Sequence, residues 1–125
     1  MPGYVPGVCN IGKNEIRKRY ALAVVGFAVA AVFSYAVLSY GLPRWALLLS
    51  FLPLMMGFEG FYQGYLKFCA GFAAAGIYDF AGSGGSRNKV ANHESHTKDM
   101  GKAMRIHAYS IASCVIVAVI IYLFL

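Results

Sequence analysis

One carboxyl, Glu59, stands in an otherwise uncharged stretch (45–66), and Gln63 follows it one helical turn later. A carboxylate held in hydrocarbon costs several kcal/mol, so such a group must be protonated, hydrogen-bonded or paired. Gln63 is the nearest donor. The chemistry open to Glu59 is a proton relay or ion binding; the competing role is a polar contact that fixes two helices. The apolar stretches hold no second acid and no Lys or Arg, so packing is the expected role.

Three cysteines come next: Cys9, Cys69 and Cys114. Cys9 and Cys69 fall at the same end of the chain's apolar segments and are a candidate thiol pair. No Cys-x-x-Cys is present, and no base adjoins either thiol. A reducing compartment disfavours a disulfide between them. His93 and His96, near Glu94 and Asp99, form a His-x-x-His cluster that holds a metal only if the segment is helical and more ligands join. His107 alone does not make a haem site, so an interfacial imidazole is expected. There is no phosphate-cradling loop, no carboxylate pair and no nucleophile beside a base. Neither a catalytic residue, a metal nor a cofactor is expected, and the chain is not read as an enzyme.

These residues must be positioned by three apolar elements, at about 20–40, 45–66 and 106–125. Each is about 20 residues long, the length at which a helix crosses roughly 30 Å of hydrocarbon. Apolar residue types make up 59% of the 125 residues, more than a soluble domain of this size can hide. The fold class is therefore all-α integral membrane, one domain of three transmembrane helices: a hairpin plus a C-terminal helix. Asn10 is expected to cap a helix from near Ile11. Gly26, Ala30 and Ser34 recur every four residues along the first span, a stripe for close helix approach. Gly57, Gly60, Gly64 and Gly71 form a second stripe, with Phe58, Phe61, Tyr62, Tyr65 and Phe68 on the other half. The segment 68–80 is expected either to continue the second helix, the favoured reading, or to turn and lie along the interface, and 81–102 to be a connecting loop.

The formal charge of +6 is placed asymmetrically. Lys13, Arg17, Lys18 and Arg19 precede the first span; Lys67, Arg87, Lys89, Lys98, Lys102 and Arg105 lie between the second and third. Only Arg44 lies between the first two. By the positive-inside rule the N-terminus and the long loop are cytoplasmic and Leu125 lies outside, N-in and C-out. Membrane lipids, not nucleic acid, are the expected partners of this charge. The first span exceeds the roughly 7–15 apolar residues of a signal-peptide core, and neither terminus carries a lipidation motif.

Cys9-Asn10-Ile11-Gly12 followed by Glu15, Ile16, Arg17 and Arg19, and later Gly64-Tyr65-Leu66-Lys67-Phe68-Cys69-Ala70 with Gly76, form a recognisable pattern. It resembles small, uncharacterised bacterial inner-membrane proteins with an Asn-x-Gly opening, a basic stretch and a helical hairpin ending in Cys. It is distantly similar to the membrane hairpin of a rhodanese-type sulfurtransferase. The resemblance covers about residues 9–76 and implies a bacterial inner-membrane hairpin on which Asn10, Gly12, Arg17 and Cys69 match the motif. The chain departs from it in having Cys69-Ala70 instead of Cys-Pro, a third helix and no rhodanese domain.

The function expected first is a structural or accessory subunit of a larger membrane complex, respiratory or otherwise energy-converting, with self-association as a variant. The alternatives are a redox-active or sulfur-handling membrane thiol protein using Cys9 and Cys69, and a homo-oligomeric proton or ion conductor using Glu59.

Overall fold

A computed structural model describes residues 4–81 and 85–125. Among them three helical stretches are long and apolar enough to cross a membrane: Lys13–Ser39, Arg44–Tyr65 and His93–Phe124. The first, α1 (Lys13–Ser39), starts after an extended Gly12 that supplies no side-chain cap. Asn10, expected to cap this helix, is engaged elsewhere. At the other end Gly41 is left-handed (φ +66°). There the Leu42 N–H bonds to Val37 O at 3.0 Å and the Gly41 N–H to Leu38 O at 3.4 Å. This pair of bonds closes a helix when the residue after its cap turns left-handed, and Pro43 then prevents continuation.

The second stretch opens as a 3-10 segment (Arg44–Ser50) and becomes α2 (Phe51–Tyr65). Pro53 falls in the first turn of α2, where a missing N–H is tolerated. The expected continuation past Lys67 does not occur. Lys67 is itself left-handed (φ +57°), and the Phe68 N–H reaches Gln63 O at 2.9 Å, so α2 closes just as α1 does, with Lys at the glycine position. The chain then makes the short α3 (Ala70–Ala75) and enters strand β1 (Ile77–Asp79).

A second correction concerns the fold class: the molecule is mostly helical but not all-α. β1 pairs antiparallel with β2 (Arg87–Lys89), Asp79 opposite Arg87, and Ile11 adds a parallel bridge to Asp79. The third correction is the loop. Helix α4 runs over His93–Phe124, capped by Asn92, whose Oδ1 accepts from the Ser95 N–H at 2.8 Å. The segment 93–102 is therefore helix, and α4 rises about 20 Å before its apolar part begins.

In the packing, α2 is the central element. α1 lies along it, α4 meets α2, α3 and the 3-10 segment, and α1 and α4 barely touch each other. Glycine makes the α1–α2 contact possible. A Cβ on Gly26 would sit 2.5 Å from Gly57 N, and one on Gly60 would sit 2.6 Å from Arg19 O. The small-residue stripes face each other within one chain instead of facing outward. Gly64 packs on the Tyr20 ring, whereas Gly71, expected on the same stripe, lies on α3 with only Cys69 Sγ near it. The aromatic half of α2 is divided: Phe58 stands edge-on to Phe27, Phe68 is fully buried, and Phe61 and Tyr65 are exposed.

Candidate functional site

Two polar clusters occupy this fold. The first ties the N-terminal lead to the end of the hairpin. Asn10 is completely buried, and its amide pairs with both backbone groups of one residue, Cys69. Its Nδ2 donates to Cys69 O at 3.0 Å, and its Oδ1 accepts from the Cys69 N–H at 2.7 Å. Its backbone N–H donates to Lys67 O, its carbonyl accepts from the Asp79 N–H, and the Gly12 N–H returns to Asp79 O. Three of the four motif residues, Asn10, Gly12 and Cys69, thus meet in one knot; Arg17 is exposed on α1.

The Cys69 sulfur is the chemical group of this knot. It accepts from Arg19 Nη2 at 3.0 Å and, as the N-cap of α3, from the Phe72 N–H at 3.4 Å. Arg19 is held 3.7 Å from Glu15 one turn earlier. The Phe72 ring is covered by both the Arg19 and the Arg87 guanidinium groups, and Arg87 is paired with Asp79 at 3.0 Å. A cysteine beside a guanidinium is the setting in which thiol reactivity arises, but reactivity also requires access. Cys69 is buried, as is Cys9, and all three cysteines are unlinked.

The lead is fastened a second time. Tyr4 OH donates to Asp99 Oδ2 at 2.7 Å, the Gly7 N–H donates to Asp99 Oδ1 at 2.8 Å, and the Tyr4 ring stacks on Tyr78. Burial, together with the adjacent Asp99 carboxylate, pushes the Tyr4 hydroxyl well above the ordinary phenol range.

The second cluster lies within the apolar stretches. Glu59 Oε1 accepts from Gln63 Nε2 at 2.9 Å, the bond expected from their spacing. Its other oxygen is 2.8 Å from His107 Nδ1 on α4. Carboxyl and imidazole therefore link α2 to α4, and the pair is unequally covered: the Glu59 side chain is 15% exposed and that of His107 45%. Beyond it, Tyr62 OH and Ser113 Oγ meet at 2.7 Å. Ser110, one turn past His107, is buried with its hydroxyl unpartnered.

Other expected candidates are dispersed. His93 is exposed on the first turn of α4, and His96 Nε2 is buried without a partner. Among the described residues no three His, Cys, Asp or Glu side chains are grouped to hold a metal. Residues that sequence reasoning missed are His107 as the partner of Glu59, Arg19 as the donor to Cys69, and Asp99 as the anchor of the lead. Only the Glu15–Arg19 spacing carried a local signal, an i,i+4 acid–base pair. Comparisons with family models, with curated proteins and with solved structures return no match for this chain.

Proposed function

We propose that this chain is a small multi-pass membrane protein that serves as an accessory subunit of a larger membrane assembly. The observation that carries this reading is the Glu59–His107 couple. Its carboxyl side is closed by Gln63 and by the α2–α4 contact, while nearly half of the imidazole side chain lies on the outer surface of an apolar stretch. A polar group on an apolar face is expensive unless it meets a partner. Because Gly26, Gly57 and Gly60 are used in the chain's own packing, the docking contact falls on the outer faces of α1 and α4, which carry exposed Val, Ile and Leu. The basic end formed by Lys13, Arg17, Lys18, Lys67, Lys98, Lys102 and Arg105 is cytoplasmic by the positive-inside rule. The resemblance over about residues 9–76 favours a bacterial inner membrane.

The test is extraction in mild detergent, sizing, and mass spectrometry of co-migrating chains, for the wild type and His107→Leu. Stoichiometric larger subunits that are lost in the variant are expected. A wild-type species running alone, at its own mass, would sink the reading.

A second reading rests on one specific contact, the Arg19 guanidinium 3.0 Å from Cys69 Sγ: a membrane thiol protein acting through Cys69. It requires Cys69 to react with a small maleimide at neutral pH faster than Cys114 does, and to slow in Arg19→Leu. Equal, slow labelling of the two cysteines removes it.

A further inference from the structure

Because α1 and α4 flank α2 with hardly any contact of their own, a cleft of about 450 Å³ opens between them. Leu54 of α2 lies beneath it. Ala30, Ala31 and Ser34 on α1 leave the space, and Ile121 and Leu125 form the α4 wall. Phe27, whose ring packs against Phe58, lines one end of the cleft. Its other end is marked by Leu38 and Leu125; at that end of the helices, outside the lining, lies Arg44, the one Lys or Arg between residues 20 and 66. Arg44 donates from Nη2 to Leu123 O at 3.3 Å and lies over the Tyr122 ring.

The geometry points to a binding site for one anionic phospholipid, an acyl chain in the cleft and its phosphate at Arg44. This rests on the membrane reading above. Length is the first argument. From Phe27 to Leu38 the α1 wall runs about 16 Å at 1.5 Å per residue, half of the roughly 30 Å hydrocarbon thickness. That is the depth of one leaflet, suited to one lipid chain; a partner helix crosses both leaflets and would need the groove to continue beyond Phe27. Volume is the second. Taking the roughly 30 Å³ share of a liquid water as the size of one methylene, the cleft holds about fifteen such groups. Charge is the third. One of the five guanidinium donors of Arg44 is committed to Leu123 O, and this group matches phosphate geometry.

The experiment is native mass spectrometry of the detergent-extracted full chain exchanged with dioleoyl phosphatidylglycerol or dioleoyl phosphatidylcholine. The wild type should carry one phosphatidylglycerol, preferred about fivefold over phosphatidylcholine, as one surface cation at a lipid headgroup allows. Ala31→Phe fills the cleft from an exposed position, outside the α1–α2 contact, and should remove both adducts by about tenfold, the scale of overpacking a filled site. Arg44→Gln should keep an adduct but lose the preference. Equal wild-type adducts, or adducts untouched by Ala31→Phe, overturn the proposal. A wild-type dimer that Ala31→Phe dissociates overturns it in favour of a second copy as occupant. Retention of the protein in carbonate-washed membranes is measured first. A retained protein with no phosphatidylglycerol adduct overturns the lipid site alone, whereas a protein washed off takes the membrane reading with it.

Discussion

The Asn10 knot and the Glu59–His107 couple are both buried polar constellations bridging distant parts of the chain, yet they are completed differently. In the knot, every hydrogen-bonding atom of the Asn10 side chain that faces the Cys69 peptide is answered within the chain. In the couple, Glu59 is answered twice while the imidazole is left half exposed. A buried amide answered at both its oxygen and its nitrogen, as Asn10 is, fixes one conformation, even though Arg19 Nε, beside Cys69, is buried without a partner. A pair that is satisfied on its inner side alone fixes its own geometry and presents a group outward. The knot is thus the lock of the fold, and the couple is its proposed contact point.

Breaking the lock should give the largest effect. Asn10→Ala leaves the Cys69 N–H buried without its partner, worth about 1–3 kcal/mol, while Cys69 O keeps the Ala73 N–H, so a loss of about 2 kcal/mol is expected. Limited proteolysis in detergent should show new cleavage near Lys67, and thermal unfolding should shift down. A variant as stable as wild type would mean that the knot is incidental, and the contrast with the couple would disappear.

The couple should respond the other way round. Glu59→Gln removes the carboxyl partner of His107 for about 1 kcal/mol, the net value of one hydrogen bond. The isolated chain is expected to remain folded while its recovery with larger subunits falls. Proton flux in liposomes separates the conductor alternative. That alternative requires flux in the wild type and its loss in Glu59→Gln, and the accessory reading expects no flux in either.

A smaller effect belongs to the lead that covers the knot. Because the Tyr4 hydroxyl is raised above its unfolded value near 10.0, its contribution is complete below about pH 10 and is lost as pH rises further. Ionisation would place a phenolate beside the Asp99 carboxylate. Hydrogen exchange of residues 4–12 should therefore accelerate above pH 10 in the wild type. The extra alkaline sensitivity should be missing in Tyr4→Phe, which begins less protected. Equal alkaline slopes in the two proteins would show that the Asp99 contact does not hold the lead.

Local pattern made part of this architecture legible. Stripes at four-residue steps (Gly26, Ala30, Ser34) and the Glu59–Gln63 spacing are properties of a helix read along one face, and the structure places those residues on such faces. His107 was not legible as a partner, because its pairing depends on how α4 docks on α2 across 48 positions of sequence. The start of α4 was misread for a different reason. Asn92 and Glu94 are helix-start signals, but the polar composition of 93–102 carries no apolar periodicity. Its order comes from tertiary contacts such as Asp99 with Tyr4 and Gly7.

The misread end of α2 provides the finest comparison. Both hairpin helices close with the same two hydrogen bonds, α1 through Gly41 and α2 through Lys67. A side chain in the left-handed region costs roughly 1 kcal/mol that glycine avoids, which is why sequence alone offered no stop signal there. The conformation persists because Lys67 O is held by the Asn10 N–H and the next turn by the Asn10 side chain. Lys67→Gly should therefore stabilise the wild-type fold by about 0.5–1 kcal/mol, the usual gain where a strained residue is relieved less the added freedom of glycine in the unfolded chain. The same substitution in Asn10→Ala should recover more than it does alone, because the side-chain part of what pins the left-handed residue is gone and only the backbone bonds of Asn10, Lys67 and Phe68 remain. Additive effects in this double-mutant cycle would show that Lys67 and Asn10 act independently, and the lock would then be confined to the Cys69 peptide.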